Sequence, residues 1–402
     1  MKILFLTDNF PPEVNAPANR TFEHCQEWVK DGADVTVITC APNFPKGKIY
    51  PGYKNKFYSK EEIEGIKVIR VWTYITANEG FVKRILDYLS FAFMSFCFCL
   101  FRKTDLIVAT SPQFFTAVSG WMLGFFKRKK WVMEVRDLWP ESIVAVGAMK
   151  NKTMLRFFEA LEKRLYKSAY KIVVVTDSFK EKITEKGIDA NKISVFKNGV
   201  LLDNYFPAPK NTDLLQKHNI NDKFIFAYIG THGMAHALDF ILDSVKEIKD
   251  TYTEIVFIFM GDGAKKNDLK IKAKNNNLTN VLFLDSVSKK EVIDYLNLMD
   301  VALVNLKKSD TFKTVIPSKI FEAAAVQKPI LLGLEGETKG IIQSYNAGLC
   351  FEPENKEEFI NSVIRFYEDQ NFYQLCQKGC SELAIDFDRK KIAIKMLDEI
   401  TK

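Results

Sequence analysis

The segment TVIPSKIFEAA, Thr314 to Ala324, aims several polar groups at one predicted helix start. Pro317 suits the first turn because its missing amide hydrogen would have had no intrahelical partner. The amides of Ser318, Lys319 and Ile320 then point outward as a positive pole, and the Lys319 ammonium adds a full charge. Such a start holds an anion. A second segment, GTHGMAHALD, follows the apolar run FIFAYI; its Gly230 and Gly233, with Thr231 between them, let backbone approach a ligand closely. His232 and His236 in that loop have the i, i+4 spacing of a metal pair, but a metal site needs a third ligand and none is adjacent. Gly261 opens GDGAKK, which lacks the third glycine of a dinucleotide fingerprint, and the loop after the first strand, TDNFPPEVNAPANR, lacks the fingerprint altogether. Both absences argue against nicotinamide chemistry. The triplet Asp386 to Asp388 reads as a cap or solvated face, since a hard cation needs several converging oxygens. In EVRDLWPES, Arg136 can pair with a carboxylate or phosphate, while Asp137 is either a hydroxyl-orienting group or general base, or a helix cap. Asn15 and Asn198 are polar contacts or turn residues.

Short apolar runs alternate with longer amphipathic ones around these segments. In the first half KILFLT, DVTVIT, IKVIRVW, DLIVAT, KWVMEV, KIVVVT and ISVFKN read as strands, with helices near 17–31, 81–101, 112–127, 151–168 and 177–186. FIFAYIG, EIVFIFMG, NVLFLD, VALVNL, PILLGL and GLCFEP repeat the scheme in the second half. The alternation predicts an α/β chain of parallel sheets covered on both faces, with ligands at the carboxyl edges of the strands. The expected division is 1–205 and 206–386, joined near PAPKNTD (207–213), with an amphipathic 387–402 returning to the first domain.

At 402 residues the chain suits two domains of roughly 200 residues. Seven cysteines at irregular spacing fit neither a Cys-x-x-Cys pair nor a disulfide ladder and read as buried thiols of a reducing cytoplasm. A strand-like run directly after Met1 leaves no room for a signal peptide. Residues 1–200 hold 31 Lys+Arg against 21 Asp+Glu, whereas the remainder holds 26 against 29, so the basic half should seek an acidic surface. The apolar stretch within Phe81 to Lys103 is shorter than the roughly 20 residues a spanning helix needs. With cations at both ends, and with FFKRKK (125–130) as a second basic-aromatic patch, it predicts a helix that packs on the sheet and dips one face into a membrane surface. No nucleic-acid motif competes.

In order along the chain, TDNFPPEVNAPANR, EVRDLWPES, TDSFKEKI followed by NGV, GTHGMAHALD, MGDG and PSKIFEAAAVQKPI resemble the landmarks of family 4 glycosyltransferases of GT-B fold. The wording of RDLWPE and GTHGMAHALD is similar to the bacterial branch that adds deoxyamino sugars such as N-acetylfucosamine to lipid-linked saccharides of O-antigen or capsule. The resemblance implies two Rossmann-like, doubly wound domains facing across a cleft. It implies a UDP-sugar as co-substrate with no metal or other cofactor, and an undecaprenyl-diphosphate-linked saccharide as acceptor at the inner face of the cell membrane. It places Glu322 at the ribose hydroxyls, the loop from Gly230 and the Gly261 turn at the donor, Asp137 at the sugar, and Glu13 and Arg20 toward the acceptor. Two departures stand out: Thr314 replaces a glutamate found eight residues before Glu322 in many relatives, and the loop lacks their arginine and lysine, His236 standing at the lysine's place. Lys319 is therefore expected to carry the main neutralisation of the leaving diphosphate, assisted by His232 or His236 if protonated. A GT-B UDP-sugar 2-epimerase and a degenerate membrane scaffold are the rival expectations.

Overall fold

A computed structural model describes residues 1–402 except 45, 77–80, 112 and 146–150. The chain forms two compact units, Met1–Asn198 with Arg389–Lys402, and Gly199–Asp388.

The first unit runs β1 (Lys2–Leu6), α1 (Ala16–Lys30), β2 (Asp34–Cys40), β3 (Tyr58–Ile63), β4 (Ile66–Val71), α2 (Phe81–Cys99), β5 (Leu106–Thr110), α3 (Phe114–Lys127), β6 (Lys130–Val135), α4 (Glu141–Ala145), α5 (Lys152–Ser168), β7 (Lys171–Val174), α6 (Asp177–Glu185) and β8 (Ile193–Val195). Among the described residues its eight strands lie in the order β3-β4-β2-β1-β5-β6-β7-β8. Ile3, Leu4, Phe5 and Leu6 are all buried, as befits a parallel strand covered on both faces. Alternate residues feed two cores: Leu4 and Leu6 join Phe91, Phe114 and Trp131, while Ile3 and Phe5 join Trp28, Ala393 and Met396. Strand order reverses between β1 and β5, which brings their carboxyl ends together at a ligand-binding position. One strand departs from the expected pattern. β3 (YSKEEI) is antiparallel to β4, and its charges suit an exposed sheet edge, where they block further pairing. The predicted first residue of α3, Pro112, lies outside the described residues.

The second unit contains α7 (Thr212–Lys217), β9 (Phe224–Ile229), α8 (Leu238–Val245), β10 (Ile255–Met260), α9 (Lys266–Asn275), β11 (Val281–Leu284), α10 (Lys289–Leu298), β12 (Val301–Asn305), α11 (Lys319–Ala325), β13 (Ile330–Gly333), α12 (Glu337–Ser344), β14 (Gly348–Cys350), α13 (Lys356–Glu368) and α14 (Gln370–Asp386). All pairings in the sheet β11-β10-β9-β12-β13-β14 are parallel. Here the order reverses between β9 and β12.

The crossing into the second unit comes earlier than the linker PAPKNTD suggests. Asn297 holds that segment, accepting from the Ala208 amide at 2.8 Å and donating to the Phe206 carbonyl at 3.2 Å. Lys210 pairs with Asp300 at 2.6 Å. Residues 199–210 are thus part of the second unit. The last helix, α15 (Arg389–Thr401), lies in the first unit. Trp28 Nε1 donates to the Ala393 carbonyl at 2.8 Å, and Lys171 pairs with Glu399 at 2.6 Å.

On α2, Phe91, Met94, Ser95 and Cys99 are buried, whereas Leu86, Leu89 and Phe93 are exposed on the opposite face. Phe96 meets Phe126 edge-on at 5.7 Å, and Phe125 and Phe126 are themselves exposed. Not all cations of FFKRKK are solvated. Lys127 Nζ donates to the carbonyls of Cys99 (3.2 Å), Leu100 (2.8 Å) and Arg102 (2.5 Å), closing the end of α2, and Lys130 Nζ sits 3.9 Å from the ring centre of Tyr170. Among the described residues no helix is long and apolar enough to cross a membrane.

Candidate active site

In the second unit a set of polar groups gathers where β9, β10 and β12 end. Tyr228 is the last but one residue of β9; its ring is buried and its hydroxyl donates to the Thr231 carbonyl at 2.7 Å. Lys319, the first residue of α11, reaches back so that Nζ lies 3.9 Å above the centre of that ring. The amine occupies the space a side chain at 230 would need, since a Cβ on Gly230 would stand 2.3 Å from Nζ. Burial lowers the Lys319 pKa to about 8, and the nearby Glu322 charge offsets part of that.

The β9 and β10 loops run backbone against backbone. A Cβ on Gly261 would lie 1.9 Å from the Gly230 carbonyl oxygen, and one on Gly263 2.6 Å from that of His232. A side chain at 261 would therefore meet the Gly230 backbone, so Gly261 serves the packing of the two loops. The His232 amide donates to the Asp262 carbonyl at 2.8 Å, while the Lys265 amide donates to the His232 carbonyl at 2.9 Å. The His232 ring is fully buried, and neither ring nitrogen has a hydrogen-bond partner. Burial first, then the Lys266 and Lys319 charges, lower its pKa to about 4. Burial and Lys319 lower His236 as well. Both imidazoles are thus poised as neutral groups at pH 7, contrary to the expected cationic assistance. Lys266 Nζ is held by the carbonyls of Gly261 (2.7 Å) and Leu284 (3.1 Å) and by Asp285 (2.5 Å).

The PSK helix start also differs from expectation. The helix begins at Lys319 and has seven residues; Pro317 and Ser318 precede it, and the Ser318 side chain makes no cap bond. The Ile320 amide donates to the Pro317 carbonyl at 3.3 Å, so it is not offered to an anion, and the Ile320 side chain is in the core. Charge at this place comes mainly from the lysine side chain. Glu322 is half-buried one turn along, and Thr314 ends the 3-10 turn Asp310–Thr314. Tyr228, Asn305 (whose amide donates to the His236 carbonyl) and Lys266 escaped the sequence reading. Tyr228 is embedded in an apolar strand, and its one signal is a phenol placed two residues before a loop glycine.

In the first unit a cavity of about 540 Å³ opens at the ends of β1, β5 and β6, with Asp8, Asp87, Asp137, Gln113, Tyr88 and Trp139 on its walls. Burial raises Asp8 to about 6, against the Asn9 amide donating at 2.6 Å. Asp87, on α2, is raised to about 7 by burial and then by the Asp8 charge, with Arg84 opposing. Burial raises Asp137 too, countered by the Ser142 hydroxyl donating at 2.8 Å. Asp137, Glu13 and Asn15 of the sequence reading meet here. Glu13 and Asn15 also have structural duties. Glu13 Oε1 accepts the amides of Asn43 and Phe44 at 2.7 and 2.8 Å, and Asn15 Oδ1 caps α1 by accepting from the Ala18 amide at 2.8 Å. Asp8 and Asp87 escaped notice because single carboxylates in a loop and on an apolar helix carry no pattern.

Arg20 does not face this cavity. It is buried in an ion pair with Glu134 at 3.0 Å and donates to the carbonyls of Phe196 (2.9 Å) and Lys197 (3.1 Å) and to Asn198 Oδ1 (3.2 Å). An arginine so placed secures the chain at the crossing instead of meeting an acceptor. Arg136 likewise donates to the carbonyls of Pro17 (3.1 Å) and Ala16 (3.2 Å), tying the β6 loop to the start of α1.

Comparison with known proteins assigns both units. The family model described as "Glycosyl transferases group 1" matches residues 210–380, and that of the "Glycosyl transferase 4-like domain" matches 15–199. The chain is a group 1 glycosyltransferase. This glycosyltransferase is 24% identical over 375 residues to WcaI of Escherichia coli (strain K12), a glycosyl transferase named for colanic acid biosynthesis, covering 90% of this chain and 91% of that one. It is 26% identical over 249 residues to the E. coli UDP-Gal:alpha-D-GlcNAc-diphosphoundecaprenol alpha-1,3-galactosyltransferase, covering 59% and 61% of the two chains. Among solved structures, sucrose-phosphate synthase from Thermosynechococcus elongatus aligns with TM-score 0.75 at 14% identity over 99% of this chain and 97% of that one. Anabaena Alr3699/HepE, solved with UDP and glucose, aligns with TM-score 0.71 at 17% identity over 100% of both chains. These likenesses establish the GT-B fold.

Proposed function

We propose that this glycosyltransferase moves a deoxyamino sugar of the N-acetylfucosamine type from a UDP-sugar to an undecaprenyl-diphosphate-linked saccharide during surface polysaccharide assembly. The observation that carries the donor half is the Lys319 ammonium delivered to the glycine loop. As the bond between the anomeric carbon and the UDP oxygen breaks, negative charge grows on that oxygen, and a preplaced cation in a water-poor site stabilises it. Glu322 accepts hydrogen bonds from the ribose hydroxyls. The acceptor half rests on the cavity of the first unit, whose carboxylates, amide and aromatic walls suit a saccharide. Asp137 orients an acceptor hydroxyl, and as that oxygen bonds to the anomeric carbon and the bond to UDP breaks, the hydroxyl proton passes to the Asp137 carboxylate. The relatives that act on diphosphoundecaprenol substrates support the lipid-linked acceptor, and WcaI supports the polysaccharide setting.

The exposed faces of α2 and α3 would bring the cavity to the acceptor by resting on the inner surface of the cell membrane. Leu86, Leu89, Phe93, Phe125 and Phe126 provide apolar area beside Lys83, Arg102 and Lys103. A thermal-shift panel of UDP-sugars tests the function: the melting temperature should rise with one UDP-sugar above UDP itself. A panel in which no uridine nucleotide shifts the melting temperature rules the reading out.

A further inference from the structure

A buried ammonium that waits for a phosphate faces a chemical dilemma. Left alone in an apolar place it tends to lose its proton. Paired with a carboxylate it keeps the proton, but its charge is cancelled and the phosphate must compete for it. An aromatic face resolves this, because the ring quadrupole attracts a cation without carrying a net charge. Nζ of Lys319 lies 3.9 Å above the ring centre of Tyr228. That ring is fixed at its far end by the hydroxyl bond to the Thr231 carbonyl at 2.7 Å, so the residue that seats the lysine also fixes the loop. Gly230, between the two contacts, leaves the amine its room.

Resting on the reading of Lys319 as the partner of the leaving diphosphate, we propose that Tyr228 is a positioning residue: its ring face seats the Lys319 ammonium at the glycine loop, and its hydroxyl holds that loop in place. The charged and titratable groups around the ammonium are Glu322 on α11, which favours the cation, and His232 and His236 in the loop, both held neutral beside it.

UDP is the probe. Calorimetric affinity for UDP is measured from pH 6.5 to 10 for the wild type, Tyr228→Phe and Tyr228→Leu. In parallel, the Lys319 side-chain signal is followed in lysine-labelled protein and identified by its loss in Lys319→Arg. Wild-type affinity should weaken as pH rises through about 8, where the free lysine loses its proton. Tyr228→Phe keeps the ring and should keep that midpoint. Tyr228→Leu should lower the midpoint and weaken UDP binding about tenfold at pH 7.5, the scale of a desolvated cation–ring contact. The lysine signal should be ring-shifted upfield in wild type and Tyr228→Phe, which decides the matter even if Tyr228→Leu does not fold. A Tyr228→Leu protein with wild-type affinity and midpoint overturns the inference, as does a Lys319 signal that titrates near 10.5 without a ring shift. Failure of the wild type to bind UDP instead overturns the donor-site reading itself.

Discussion

Lys319 stands at odds with folding, and in the proposed function it is there for the chemistry. Its pKa of about 8 is below the ordinary lysine value because the charged form is desolvated. Between pH 8 and 10.5 the unfolded chain binds more protons at this lysine than the folded one, so its share of stability rises with pH across that window. At pH 7 the burial penalty is present in full. Lys319→Met should therefore raise the melting temperature of the nucleotide-free protein while Lys319→Ala lowers turnover by about 100-fold or more, the scale of a lost transition-state donor. Calorimetric melting beside a steady-state assay checks both, and near-normal turnover in Lys319→Ala would remove the lysine from the mechanism. His232 has the same sign in a lower window. With a folded pKa of about 4 against 6.5, it contributes stability above pH 6.5 that is lost as pH falls toward 4. Urea midpoints across pH 4–7 should fall less steeply on the acid side for His232→Gln than for the wild type.

At the scale of elements, α2 serves two surfaces at once. One side carries Asp87 and Tyr88 to the cavity, and the other leaves Leu86, Leu89 and Phe93 outside. Phe93→Asp combined with Phe126→Asp should abolish sedimentation with anionic vesicles while leaving UDP affinity unchanged, and full sedimentation of that double variant would exclude this face as the membrane contact. Thirteen of the fourteen strands among the described residues were legible as apolar runs, because parallel strands buried on both faces write their burial directly into the sequence. β3 was not, since YSKEEI is an edge strand whose charges read as loop. The PSK segment was legible as a helix start suited to an anion and the glycine loop as a place where backbone approaches a ligand closely, and the structure brings the two together. What could not be read was which atoms would be left over for it: the Ile320 amide turns back to Pro317, and Arg20 is taken up by Glu134 and three residues near the crossing. Those partners lie far off in sequence or depend on how one turn closes, and periodicity carries neither.

The whole molecule is organised around a chain that leaves the first unit at Asn198 and returns to it at Arg389. Helix α1 secures both passages. Arg20 holds the carbonyls of Phe196 and Lys197, and Glu23, one turn on, pairs with Arg389. Arg20→Met leaves the Glu134 carboxylate buried and unpaired, for which a loss of about 3–5 kcal/mol is expected in denaturant unfolding. A loss below about 1 kcal/mol would show that the pair is dispensable. The late return of α15 also sets an order of events at the ribosome. Until residues 389–402 emerge, the groove that receives Ala393, Met396 and Ile400 stays uncovered beside Trp28, however long ago its strands were made. A chain interrupted just before Arg389 would thus be released with its second unit finished and its first not, and quality-control proteases would meet the damage at the amino-terminal half.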